Sequence, residues 1–333
     1  MSPLIDGLQY ANWSEKVFAQ MRAGGVDAVH VTITYHETFR ETVANIECWN
    51  RWFERFPHLI FQGFTAADVG LARATGRTAI YFGSQNPSCI GDDIGLVEVM
   101  HRLGLRFMQL SYNNQSLLAT GCHEARDAGL TRMGRAVVAE MNRVGMVIAM
   151  SHAAERSTLD AIAHSTRPVA ISHANPASWH QALRNKSATV LRVLAESGGM
   201  LGLSLYPHHL NGGSACKMQD FCQMVARTAD LTGIGALGIG SDLCQDQPDA
   251  VVEWMRNGRW TKAVDYGEAS ATAPGFPAMP DWFQDNRDFG TLRQGLADVG
   301  MTAAEVAAVM GGNWQEFFAR SFGPAAPARQ AAP

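Results

Sequence analysis

Two histidines and one aspartate in this chain stand where they could hold a metal ion and use it. Met146–Ser151 is a short apolar run ending in Ser151-His152, and Val169–Ser172, opened by Pro168, is a second ending in Ser172-His173. Runs of this length suit buried strands and are too short for helices. Asp242 follows a third run, Ala236–Gly240. Neutral imidazole is a common zinc ligand. Zinc can lower the pKa of a bound water to about 7, and a nearby carboxylate can take that proton and pass it to a leaving amine. His152, His173 and Asp242 have the chemistry for this division of labour. A histidine at a strand end can also be a satisfied polar group near the surface. Two matching Ser-His contexts on consecutive strands, with an aspartate on the last strand, favour the metal.

The elements that must position these residues can be read around them. The pattern of Met133–Arg143 puts Val137, Val138 and Met141 on one face of a helix, and Gly145 stops it. A second helix, Glu155–His164, joins the two histidine-bearing runs. Strands joined by a crossover helix are parallel, so both imidazoles emerge at one sheet edge. A (β/α)₈ barrel builds its active site at that C-terminal edge.

Five further strand candidates are Leu4–Tyr10, Val26–Tyr35, Thr78–Ser84, Leu105–Ser111 and Met200–Leu205. Helical patterns cover His36–Arg55, Asp92–Arg102, Lys186–Ser197, Met218–Leu231, Leu292–Val299, Ala303–Met310 and Asn313–Arg320. Eight strands alternating with helices predict an α/β fold, a (β/α)₈ TIM barrel of metal-dependent hydrolase type, in one domain over 1–322. An open doubly wound sheet is the alternative, but no G-x-G-x-x-G follows the first strand. Gln245–Pro280 reads as an irregular Trp-, Pro- and Gly-rich loop, and such lengths are usually functional or a lid. The Pro/Ala tail, 323–333, has nothing to bury and reads as disordered.

The strand ends then supply Leu8, Tyr10, Gln85, Tyr112, His152, His173 and Asp242. His30 reads as a barrel-interior residue. His208-His209 could line the mouth, with a plain loop the favoured reading, and His36, His58, His101, His123, His164 and His180 read as helix or loop surface. With 47% apolar residues the chain can fill a large core, and its net charge of −4 gives no basic surface for nucleic acid. The six cysteines form no C-x-x-C pair, which suits reduced thiols. No apolar run reaches the roughly 18 residues of a membrane span and no leader is recognisable, so a cytoplasmic protein is expected.

The stretch GLTRMGRAVVAEMNRVGMVIAMSH resembles the signature region of the renal (membrane) dipeptidase family, the M19 metallopeptidases. Ile5-Asp6-Gly7, Pro168–His173, Arg184-Asn185, Gly238–Asp242 and Gly312-Asn313-Trp314 extend the resemblance over nearly the whole chain. It implies a zinc-dependent amidohydrolase-type barrel, often dimeric. The family's second-zinc histidines match His152 and His173, its last-strand aspartate matches Asp242, and its substrate-carboxylate arginine matches Arg184. Other positions depart. The family's first-strand His-x-Asp ligands are Leu8 and Tyr10 here, its bridging glutamate is Gln85, and its substrate-touching histidine is Tyr112.

Two closely held zinc ions need carboxylates to offset four positive charges, and this set has lost two. The expectation is a site with one zinc ion or none, on His152, His173 and Gln85. Asp242 would then be catalytic, with Arg184, Tyr112, Asn113 and Tyr10 around the substrate. The implied activity is cleavage of an amide in a dipeptide or small amino-acid derivative. One alternative is a repurposed catabolic enzyme acting on a small N-substituted or N-methylated amino acid. Another is a non-catalytic small-molecule-binding pseudo-enzyme.

Overall fold

Alternating apolar runs and capped amphipathic segments give alternating strands and helices. In this computed structural model the strands are β1 Ile5–Gln9, β2 Ala28–Thr34, β3 Ile60–Gln62, β4 Thr78–Ser84, β5 Leu105–Gln109, β6 Val147–Ala149, β7 Ala170–Ile171, β8 Met200–Leu203 and β9 Leu237–Ile239. The structure describes residues 2–259, 262–264, 266–267 and 269–323. The Pro/Ala tail expected to be disordered lies, from 324 on, outside the described residues.

Every strand pair is parallel. The ring runs β1-β2-β4-β5-β6-β7-β8-β9, and Asp6 pairs with Ile239 to close it. This is the (β/α)₈ barrel expected from the sequence, and all eight expected strands are in it. Strand β3 is an addition. It takes the first half of one β4 edge, at Thr78–Ile80, while β5 takes the second, at Phe82–Ser84.

The barrel interior is filled from below by Trp314, which is fully buried. Its indole lies so close that a Cβ on Gly7 or Gly238 would come within 2.4 Å of it. Trp314 Nε1 donates to Ile239 O at 2.8 Å, and Asn313 Nδ2 donates to Ile234 O and Leu237 O, each at 2.7 Å. Those bonds explain the Gly312-Asn313-Trp314 motif: it plugs the barrel floor and ties it to β9. Above the plug, His30 points inward, bonded to Gly7 O at 2.7 Å and stacked 4.1 Å from Phe107.

The helix that precedes β6 is Arg132–Val144. Thr131 caps it by accepting from Gly134 N at 2.9 Å, and Gly145 ends it at φ +81°, a left-handed value that glycine adopts without Cβ strain. Its face of Val137, Val138 and Met141 is buried, each such side chain contributing about 1.5–3 kcal/mol. The next helix, Glu155–His164, has the bounds expected. One expectation is corrected: Gln245–Pro280 is not wholly irregular, because Ala250–Asn257 is helical.

Candidate active site

The repeated Ser-His dipeptide has a structural reason. Ser151 and Ser172 sit side by side at the ends of β6 and β7, with their hydroxyl oxygens 3.1 Å apart. His173 N donates to Ser151 Oγ at 3.1 Å, and Ser172 Oγ bonds His173 Nδ1 at 2.9 Å. These contacts aim His173 Nε2 at His152 Nε2, 3.1 Å away. Both rings are essentially buried. Burial, and then the Arg184 charge, hold both imidazoles well below the usual histidine range, so both are neutral at pH 7.

His152 is gripped on both sides. Nδ1 lies 2.6 Å from Asn113 Oδ1 and Nε2 lies 2.5 Å from Gln85 Oε1. A neutral ring has one N–H and cannot donate to two oxygens, so one amide must present its nitrogen instead. Gln85 can reverse without loss. Its Nε2 sits 2.7 Å from Thr32 Oγ1 and 3.0 Å from Tyr35 Oη, hydroxyls that can donate as well as accept. His152 then donates from Nδ1 to Asn113 and accepts at Nε2 from the Gln85 amide.

Asp242, just past β9, has φ +56°, a left-handed backbone that is uncommon without glycine. It is held from below. Its own N–H donates to Leu8 O at 3.0 Å, and its neighbour Ser241 is bonded twice to Asp6. Asp6 is fully buried, and burial raises its carboxyl to about 6.

Arg184 lies in the loop after β7, with only 5% of its surface exposed. Its guanidinium donates to Ser151 O at 3.2 Å and reaches His173 O at 3.5 Å, so it is anchored on both histidine-bearing strand ends. Nearby Lys186 is also buried, donating to Ala153 O at 2.7 Å, and burial lowers it to about 8.

One pocket brings Gln85, Tyr112, Asn113, His152, Arg184 and Asp242 together. His173 sits beneath, in contact through His152. Tyr10 is not among the pocket residues; it walls a neighbouring cleft of about 320 Å³ with Trp13, Trp49 and Trp52, edge-on to Tyr35. Another cleft, of about 520 Å³, opens beyond Tyr112. Both are roomier than the histidine pocket, but neither reaches the histidines or Asp242, so the chemistry belongs to the smaller space. Tyr112 stacks on His152 with ring centres 4.1 Å apart.

Tyr35, Tyr206, His208, His209 and Arg256 also line the pocket, and sequence reasoning did not single them out as site residues. Tyr35 ends one strand candidate and Tyr206 directly follows another, a signal that could have found them. His209 follows the alternative at the mouth: in the short Pro207–His209 turn it lines the pocket, buried and bonded to Ser204 Oγ at 2.8 Å. His36 corrects the surface reading: 9% exposed, it bonds Met255 O at 3.0 Å and meets the rings of Tyr112 and Trp254 edge-on. His123 also lines the pocket instead of lying on an outer surface. Burial keeps the phenols of Tyr35, Tyr112 and Tyr206 above their ordinary range, so they act as neutral hydroxyls.

The donor set decides what metal could be held. Among the described residues no group of three or more His, Cys, Asp and Glu side chains is placed to hold an ion. Leu8 cannot ligate, Tyr10 faces another cleft and Asp6 is spent on Ser241, so a pair of ions does not fit. Two nitrogens on one tetrahedral zinc, each at about 2.05 Å, stand roughly 3.3 Å apart. The 3.1 Å between the two Nε2 atoms is close to that, and both rings are neutral. The pair fits a single ion. The Gln85 amide, 2.5 Å from His152 Nε2, stands at hydrogen-bonding rather than co-ligand distance.

The fold and site define a (β/α)₈ barrel of the amidohydrolase type with a histidine-pair centre at its C-terminal mouth. The chain matches the membrane dipeptidase family (peptidase family M19) over residues 9–257, and it belongs to that family. An amidohydrolase from Pseudomonas aeruginosa is 33% identical, superposes with a TM-score of 0.91, and is matched over 96% of this chain and 97% of its own. A metallo peptidase from Rhodobacter sphaeroides, solved with a phosphinate mimic of the dipeptide L-Ala-D-Ala, is 18% identical, with a TM-score of 0.79 over 96% of this chain and 99% of its own; it supports the fold alone. The dipeptidase aclJ of Aspergillus oryzae is 27% identical over 285 residues, 84% of this chain. The chain spans 60% of the length of that relative and 50% of the dipeptidase tcpJ of Claviceps purpurea. Among the described residues no helix is long and apolar enough to cross a membrane.

Proposed function

We propose that this protein hydrolyses the amide bond of a dipeptide or a small carboxylate-bearing amino-acid derivative in the pocket between His152, Arg184 and Asp242. The observation that carries this reading is Arg184: a buried guanidinium, fixed on two strand-end carbonyls, in the same pocket as Asp242 and His152. A guanidinium so placed binds a carboxylate through two parallel bonds. A single zinc ion would be held by His152 and His173, with Gln85 beside it, and when bound it supplies Lewis acidity toward a carbonyl or a water. Asn113 holds His152 in the tautomer that leaves Nε2 unprotonated. Asp242 takes the proton of the attacking water and returns it to the departing amine. Tyr35, Tyr112 and Tyr206, as neutral hydroxyls, donate hydrogen bonds to substrate oxygens. The test is amine release from a panel of dipeptides and N-acyl amino acids by zinc-loaded protein. Asp242→Asn should retain zinc and lose most turnover; full turnover in that variant removes Asp242 from the chemistry.

A second reading, action on a small N-substituted amino acid, is favoured by the ring of Tyr112 stacked on His152, which replaces an imidazole with a neutral aromatic wall. Turnover of N-substituted amino acids with none of dipeptides would establish it over the first.

A further inference from the structure

A second cavity at the barrel mouth has a chemistry of its own. The cleft of about 320 Å³ beside Tyr35 lies between the ends of β1 and β2 and the helix Phe39–Arg55. Asn45, Trp49 and Trp52 recur on that helix at four- and three-residue intervals, which puts them on one face, and all three line the cleft. The segment after β1 adds Tyr10 and Trp13. The indoles of Trp13 and Trp49 meet at 57°, with ring centres 5.1 Å apart. Trp13 and Trp52 are half-buried, so part of each indole stays open to a ligand.

Glu37 puts a carboxylate on the same cleft. Tyr35 N donates to its Oε2 at 2.5 Å and Trp254 Nε1 to its Oε1 at 3.1 Å, which fixes it in place. A carboxylate has about four lone-pair sites, so each oxygen can accept once more. Its charge is felt at Tyr10, whose phenol is raised first by burial and then by Glu37. Asn45 donates Nδ2 to Ile33 O at 2.8 Å, which turns its amide oxygen the other way.

Aromatic faces attract cations, and a carboxylate beside them favours a cation over a neutral ligand. The oxygens of Glu37 and Asn45 call for N–H donors, which a quaternary ammonium lacks. A flat guanidinium stacks on an indole and forks onto a carboxylate at once. The chain makes that arrangement nearby with its own side chain: Arg259 lies over the Trp254 ring, 5.3 Å from its centre, and pairs with Glu41. We propose that this cleft is a second ligand site, apart from the histidine pocket, which takes the guanidinium group of a small molecule against the Trp13, Trp49 and Trp52 indoles with Glu37 as its counter-ion.

The experiment titrates ethylguanidinium, its neutral isostere N-ethylurea and tetramethylammonium into the full chain, with calorimetry beside tryptophan fluorescence. Ethylguanidinium should bind roughly 10-fold more tightly than either of the others. Trp52→Leu should weaken it roughly 3- to 10-fold, and Glu37→Gln should bring it close to N-ethylurea. Arg184→Met should leave its affinity unchanged, because that residue belongs to the histidine pocket. Trp52→Leu leaves the Glu37 bonds intact, so it decides the matter if Glu37→Gln disturbs the rim. No binding of ethylguanidinium, equal binding of N-ethylurea or tetramethylammonium, full affinity in Trp52→Leu, or loss of binding in Arg184→Met overturns the proposal.

Discussion

Asp6 Oδ1 accepts the backbone N–H of Ser241 at 2.7 Å, and Oδ2 accepts the Ser241 hydroxyl at 2.5 Å, across the seam that closes the barrel. The next residue is Asp242, in its left-handed backbone. A fully buried carboxylate thus holds the strand end on which the proposed proton carrier stands. Asp6→Asn puts an amide N–H against one of these donors, or against Gln9 Nε2, which now donates to Asp6 at 2.8 Å. The variant should lose at least tenfold in turnover with zinc still bound, as seen in amine release beside metal content.

The same carboxyl gives a pH signature. Its pKa is about 6 when folded, against 3.8 as the ordinary value. A raised folded pKa means the folded state binds the proton first. Its contribution to stability is fully present below about pH 3.8 and is lost as pH rises through about 6. Two units correspond to roughly 3 kcal/mol. The stability difference between wild type and Asp6→Asn, from urea unfolding at several pH values, should therefore shift in favour of wild type by that order as pH falls from 7 to 4. A pH-independent difference would show that Asp6 titrates normally.

Gly83→Ala tests the interior packing. An added Cβ would meet His30 Nε2 at 1.7 Å, and His30 is held by Gly7 O and the Phe107 ring. Overpacking of a tight core costs about 1–3 kcal/mol, and with His30 caged the upper end is expected. Chemical denaturation measures it; a variant as stable as wild type would mean His30 can leave its place.

Asn113→Ala removes the partner that fixes the His152 tautomer. Loss of a ligand-orienting hydrogen bond typically costs 10- to 100-fold in metal affinity, roughly 1.4–2.7 kcal/mol. Zinc competition with a chromophoric chelator should show a fall of that size. Unchanged affinity would separate Asn113 from the metal and return it to the substrate.

Much of this was legible in the sequence because it is local. The two Ser-His strand ends, the Thr131 cap and the Gly145 stop each lie within a few residues of what they determine. The Leu8, Tyr10 and Gln85 positions could be placed by strand counting, while their standing in for metal ligands came only from the family resemblance. What was not legible depends on distant contacts. Arg256 reaches the pocket only because Glu37 and His36 hold its helix, contacts across more than 200 residues. His209 is buried because Ser204 turns the chain back on it. Asp6 gave no sign of its bond to Ser241, since the closure of the ring brings β1 beside β9. Strand β3 is three residues long, too short to carry a periodic signal.

Zinc titrated into chelator-stripped protein, with amine release from a dipeptide panel followed at each addition, bears most directly on the histidine pair as a single-metal hydrolytic centre. Activity should rise in proportion to zinc and saturate at one ion per chain, and it should be absent from His152→Ala and His173→Ala. Saturation at two ions per chain, or amide hydrolysis that survives loss of both imidazoles, would contradict it.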